Sequence, residues 1–277
     1  MNKADLLRDL DKWQACSKDE LAYRKPEELF KPEFVGVYER LHDDIRRRMT
    51  RLHGSLFTLE QLRDLPFEYL EYYVYGPGRM EFWRLVIANF IEMTIVTLHA
   101  VVNDNEGNAH TLRSFHNAIK QAPWLHEEMQ LLFKQTWRGR EFDAAEKSIA
   151  ARVKGIRHNW IAHRFIDKAT GDPKDALSTV SLEEIRHLFA AVHSLFGALS
   201  FGASYITLAG DPMPTTIGGR PTPTCLDSVL DAVIRDSEFV KRPELQREFW
   251  PELRKHLPAE MIRVMNELRR RIGLPDA

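Results

Sequence analysis

Apolar residues recur along this chain at three- and four-residue intervals, and no run sustains apolar/polar alternation, so the pattern predicts helices almost throughout. Val35, Tyr38, Leu41, Ile45 and Met49 keep that spacing and predict a helix from Pro32 to about Leu52. Thr58-Leu59-Glu60-Gln61 reads as a capping box that starts a separate short helix. Gly76-Pro77-Gly78 is a break, and a long apolar helix follows from Met80 to about Val102. A turn at Asp104 to Asn108 leads to a helix from about His110 to Lys120, and Pro123 separates that from another over Trp124 to Phe133.

Two further helices carry more. Phe142, Ile149, Ile156 and His163 are spaced by seven, with Ala145, Val153 and Trp160 between them, an apolar stripe that ends in a histidine. After a loop from about Asp167 to Val180, Ser181-Leu182-Glu183-Glu184 matches a capping box. Leu182, Ile185, Leu188, Phe189, Val192, Leu195, Phe196 and Leu199 then trace one face. Two consecutive helices with one apolar stripe each pack antiparallel in a bundle. Beyond them, Pro- and Gly-rich sequence reads as a flexible linker, and short helices follow over about Cys225 to Phe239 and Pro243 to Ile272.

Composition narrows the class. The chain is 277 residues long, 44 % hydrophobic and 29 % charged, the balance of a folded globular protein, and its net charge of -1 makes any nucleic-acid binding a local matter. Three basic clusters stand out: Arg46-Arg47-Arg48 with Arg51, Arg269-Arg270-Arg271, and Arg152, Lys154, Arg157, Arg164, Lys168. The first two read as solvated helix faces. The two cysteines, Cys16 and Cys225, offer neither a disulfide framework nor a zinc site, and the charged N-terminus leads into no signal core. Phe82 to Val102 approaches the length of a membrane span but holds Arg84, Asn89, Glu92 and His99, so a buried bundle helix is the expectation. The expected location is cytoplasmic, with no membrane partner.

The third basic cluster coincides with Arg157-His158-Asn159-Trp160-Ile161-Ala162-His163-Arg164. On a helix of ~100° per residue, His163 and Asn159 share the apolar face, Arg157 stands on its flank and His158 turns away. A histidine on a bundle seam also has a plain reading, a neutral imidazole hydrogen-bonded in the core. An arginine beside histidine and asparagine, however, suits phosphodiester chemistry: bidentate hold on a phosphate and proton transfer near neutral pH.

That string resembles the Arg-polar-x(3–5)-His signature of the HEPN superfamily, and its surroundings are closest to the branch associated with abortive infection. The resemblance covers about Phe82 to Tyr205. It departs from the usual wording in placing His158, rather than asparagine, directly after the arginine. It implies an all-α HEPN-like helical bundle with an N-terminal helical extension and a C-terminal helical appendage. The expected divisions are residues 1–78, the bundle at 79–208, a linker at 209–223 and a helical segment at 224–277. It also implies a metal-independent endoribonuclease of phage defence or a toxin system, with one composite site built by a homodimer. Arg157 and His163 would be catalytic; His158, Asn159, Arg164 and Arg152 would bind or orient the substrate. The alternative is a catalytically inactive HEPN-like module that binds nucleotide or protein partners. The partners expected are RNA, a second copy of the chain, and an antitoxin or regulatory protein.

Other chemistries find no support in the residues. His187/His193 and His110/His116 are each six apart, on different helix faces, and no metal or cofactor is expected. Tyr69, Tyr72, Tyr73 and Tyr75 could stack bases but sit at helical spacing, as core residues do.

Overall fold

The computed structural model describes residues 19–63, 80–103, 110–158 and 181–202, a short ribbon at 216–217 and 220–221, and isolated positions between 251 and 276. The described residues are helical apart from turns and short connections, one isolated bridge and that ribbon. In order they form α1 (Glu20–Tyr23), α2 (Pro26–Leu29), α3 (Pro32–Arg63), α4 (Met80–Val102), α5 (Leu112–Gln121), α6 (Glu127–Gln135), α7 (Trp137–Arg140), α8 (Phe142–Arg157) and α9 (Leu182–Leu199). The ribbon pairs β1 (Thr216–Ile217) with β2 (Arg220–Pro221). The chain divides into two compact units, Met1–Leu56 with Ile91–Gly210, and Phe57–Phe90 with Asp211–Ala277.

Unit 1 holds the large core. Tyr38, Ile45 and Met49 of α3, Leu98 and Val101 of α4, and Phe115 and Ile119 of α5 are buried in it. Phe142, Ile149, Val153 and Ile156 of α8 meet Ile185, Leu188, Val192, Leu195 and Leu199 of α9 in the same cluster. The described residues of both stripes therefore face the core, with Ala145, Leu182 and Phe189 half-buried, while Trp160 and His163 lie outside the described residues. The Tyr38 hydroxyl donates to the Leu199 carbonyl at 3.2 Å and accepts from the Phe201 N–H at 2.8 Å, so the buried phenol is satisfied at both roles. Gly202 takes φ +83°, a left-handed conformation that favours glycine, and its N–H reaches the Ala22 carbonyl at 2.9 Å. The chain after α9 is thereby tied to α1.

Several expectations give way. The first long helix does not stop near Leu52; α3 continues to Arg63, and no capping box interrupts it at Thr58. Leu52, Leu56, Leu59 and Leu62 are all buried, so the three-to-four spacing never breaks, and Gly54 lies on an exposed face where it obstructs nothing. The next helix starts at Leu112 rather than His110 because Thr111 caps it: Thr111 Oγ1 accepts from Ser114 N, and Ser114 Oγ from Thr111 N. Trp124 is not helical. It pairs with Phe30 as an isolated antiparallel bridge, with Lys31 N donating to the Pro123 carbonyl and Leu125 N to the Leu29 carbonyl, and α6 begins only at Glu127.

The apolar helix α4 is only partly buried. Among the described residues it is the one helix long and apolar enough to cross a membrane, and only 28 % of its Leu85–Val102 window is buried, less than the buried bundle helix expected from the sequence. Thr94, Ile95, Leu98, Val101 and Val102 face the core, while Met93 and Val96 are exposed. In unit 2, the linker read as flexible contains the β1–β2 ribbon, with Thr216 opposite Pro221 and Ile217 opposite Arg220. The two residues between them in sequence are Gly218 and Gly219, the residue type that two-residue hairpin loops take. Cys16, Cys225, the Tyr69 to Tyr75 cluster and the Asp104–Asn108 turn lie outside the described residues.

Candidate functional site

The residues of the sequence motif begin at the C-terminal end of α8. Phe142, Glu146, Ile149, Val153 and Ile156 follow one another at three- and four-residue steps and are all buried, which fixes the rotation of the helix. Arg157 and His158 are consequently exposed. His158 keeps helical backbone angles (φ -61°, ψ -49°), and its N–H donates to the Gly155 and Lys154 carbonyls, so the helical path continues up to the motif's second residue. Asn159, His163 and Arg164 lie outside the described residues. Among the described residues no carboxylate pairs with Arg157.

Arg152 has a different setting. Its Nε donates to Glu184 Oε1 at 2.6 Å, and its Nη2 reaches the same oxygen. Glu184 was expected to return its carboxylate to the Ser181 N–H as the second half of a capping box. Half of that box forms: Ser181 Oγ accepts from Glu184 N at 3.1 Å, while the carboxylate spans to α8 instead. Arg152 and Glu184 thus join the two helices that flank the motif segment. On a wheel of ~100° per residue Arg152 stands about 140° from Arg157, across the buried stripe. Arg152 and His158 also have five residues between them, but a motif read in that register would use this engaged arginine.

A buried polar network, missed in the sequence, braces α8 from the other end. His116 of α5 is fully buried, with Nδ1 2.9 Å from Asp143 Oδ1 and Nε2 2.9 Å from the Arg138 carbonyl oxygen. Its ring stacks on Phe142 at 4.2 Å. Burial pulls the His116 pKa down, outweighing the Asp143 charge and the Arg138 carbonyl, which raise it. Burial would raise the Asp143 carboxyl, but the Lys120 hydrogen bond and the His116 charge hold it below its ordinary value. Arg138, also fully buried, donates to Asp19 and to the Ala198 carbonyl and lies 5.9 Å from the Phe201 ring centre. Glu146, 1 % exposed, takes both its hydrogen bonds from Arg113 on Oε2 and leaves Oε1 without a partner. Burial raises its pKa against the pull of Arg113. One signal was available: Glu146 lies four residues after Phe142 and three before Ile149, squarely on the apolar stripe.

The histidines make stability depend on pH. Burial lowers His42 to about 4, with Asp43 opposing and Arg46 assisting. His193 is lowered by burial and by His53, and His116 moves the same way. Unfolded histidine titrates near ~6.5, so the folded chain binds fewer protons just below that pH, and stability present at neutral pH is lost on acidification. For His42 alone the loss is roughly 3 kcal/mol by about pH 4. Thermal unfolding followed from neutral to acid pH should show this fall, with a flatter profile for His42→Gln. An identical profile for parent and variant would remove His42 from the account.

The family model HEPN_AbiU2, described as AbiU2, matches residues 34–215. The chain belongs to the HEPN_AbiU2 family. No curated protein and no solved structure matches. The HEPN_AbiU2 match spans α4 through α9 and the whole of residues 157–163, and the helical architecture agrees with the HEPN-like, all-α expectation. It leaves out residues 19–33, although Leu21, Leu29 and Phe30 there are fully buried in unit 1. The family model and the folded HEPN_AbiU2 core thus have different N-terminal limits.

Proposed function

We propose that this HEPN_AbiU2 chain is a metal-independent endoribonuclease of phage defence or a toxin system, working as a cytoplasmic homodimer. The observation that carries the reading is an exposed arginine, Arg157, on the last turn of α8. It opens an Arg-polar-x(4)-His string inside the family match. Membership gives the family; the residue types give the chemistry.

The reaction asks for three things. A base takes the proton from an RNA 2′-hydroxyl, the 2′-oxygen bonds to phosphorus, and the bond from phosphorus to the 5′-oxygen breaks as an acid protonates that oxygen. The products are a 2′,3′-cyclic phosphate and a 5′-hydroxyl. His163 from each of two copies supplies the base and the acid, and Arg157 from each holds the phosphorane charge. His158 and Asn159 orient the phosphate, with Arg164 adjoining. An antitoxin or regulatory protein is a further expected partner. Arg152 has a lesser part, since Glu184 already holds it.

The test incubates the purified full chain, and its His163→Ala and Arg157→Ala variants, with end-labelled RNA in EDTA. Loss of a proton-transfer group lowers the rate by about 10²- to 10⁴-fold. Cleavage by the parent that collapses in both variants, leaving cyclic-phosphate ends, supports the reading. Equal cleavage by parent and His163→Ala overturns it, and RNA binding without any cleavage favours the inactive binding module instead.

A further inference from the structure

We propose that the exposed face of α8 carrying Lys147, Lys154 and Arg157 is a track for the phosphates of single-stranded RNA, ending at Arg157, the first residue of the motif. The identity of the polymer rests on the ribonuclease reading; the track itself rests on the helix. With Arg157 set at zero on a wheel of ~100° per residue, Lys154 falls at about 60° and Lys147 at about 80°. His158 follows at about 100°. All four are exposed. The buried stripe of Phe142, Glu146, Ile149 and Val153 lies at about -80° to -20°, so Arg157 stands at its edge while Lys154, Lys147 and His158 turn away from it, and core packing settles which way the cations face.

Among the described residues no ion pair takes up the charge of Lys147, Lys154 or Arg157. No acidic residue occurs from Lys147 to Ile166 in the sequence. By contrast, Arg113, Lys120, Arg138 and Arg152 are each held by a carboxylate. The acidic group nearest the start of the face, Asp143, is occupied by Lys120 and His116. Small residues run beside the ridge: Ala144 and Ala151 are exposed, and a methyl group added at Gly155 would meet nothing within 4 Å. A polymer backbone can therefore approach the helix closely.

Helix electrostatics accounts for only part of the pattern. Cations in a last turn are favoured by the carbonyl end of the helix, which explains Lys154 and Arg157, but the effect fades within that turn. Lys147 lies more than two turns away. From Lys147 to Arg157 the axis rises ~15 Å, the length of about four stacked nucleotides. Readers of duplex RNA span about 16 base pairs across two successive minor grooves, far more than this ridge of about 15 Å, which favours an unpaired strand as the ligand.

The test measures fluorescence polarisation of a short labelled single-stranded RNA with the full-length His163→Ala protein as background. Lys147→Ala/Lys154→Ala should weaken binding about ten-fold at low salt and lower the log–log salt slope by about 1.4, two phosphates at ~0.7 each. The thermal midpoint should stay put, which a merely structural role would not allow. Lys134→Ala, an exposed cation on α6, serves as the control and should bind like the background. Affinity and slope unchanged by the double variant, no RNA binding at all, or an equal loss in the control would each overturn the track. Parent protein that cleaves RNA with the double variant binding normally sinks the track alone. Lys147-dependent binding without cleavage by the parent sinks the ribonuclease reading alone.

Discussion

A chain beginning at residue 34, where the family match starts, should fail to fold. Removing the preceding residues takes away Leu21, Leu29 and Phe30, each fully buried. Phe30 sits among Phe34, Tyr38, Trp124 and Phe201, with ring centres 4.8 to 5.8 Å away. Deleting one such side chain costs about 2–5 kcal/mol, so three together cost on the order of 10, comparable to the whole stability of a domain. The truncation also strips the two backbone bonds that pin Pro123 and Leu125, and the partner of Gly202. The check is a thermal and urea unfolding comparison of the truncated and full chains. A cooperative transition within a few degrees of the parent would show that this segment is dispensable.

Asp19→Ala should be strongly destabilising, although the residue is partly exposed. Its carboxylate is the ion-pair partner of the fully buried Arg138, and its Oδ1 also accepts from Ala22 N at 3.0 Å to start α1. Breaking a buried pair from one side leaves an uncompensated charge, a loss of about 3–5 kcal/mol. Asp19 is itself 30 % exposed, and Arg138 keeps its bond to the Ala198 carbonyl, so the lower end of that range is expected. Replacing both partners, as Asp19→Ala/Arg138→Met, should recover part of the loss because no charge remains buried. Chemical denaturation of Asp19→Ala, Arg138→Met and the double variant decides the matter. A double variant as unstable as the sum of the singles would mean that the pair is not the cause.

Much of the fold was legible because helical periodicity is a local property. The stripes Phe142 to Ile156 and Leu182 to Leu199, and the bounds Met80–Val102, could be read directly, since burial of one face imposes the spacing. Helix ends were less legible. Thr58-Leu59-Glu60-Gln61 carries the residue types of a capping box, yet the same types are tolerated mid-helix when Leu56, Leu59 and Leu62 continue the buried face. At Ser181 the pattern was half right, because Glu184 gains a charged partner in Arg152 that no local spacing announces.

The candidate site shows the same division. The Arg157-to-His163 string and its family likeness are one-dimensional facts, and the family match spans those residues. His116, Asp143, Arg138, Asp19 and Glu146 gave almost no signal, since each becomes meaningful only when residues 22 to 119 positions apart meet. The burial of His116, Arg138 and Glu146 is a consequence of partners.

By itself the sequence determined the helical class, the rotation of α8 and α9 about their axes, and the string of chemistry at Arg157. Those follow from short-range rules: a period of 3.6 and the partition of side chains between core and water. Only the tertiary structure decided which cations are spent on carboxylates and which stay open, that the folded unit reaches back to Asp19, and that a histidine and an arginine lie wholly inside. Such outcomes depend on desolvation and pairing across distant segments, which are energies of the packed whole and not of any stretch of chain.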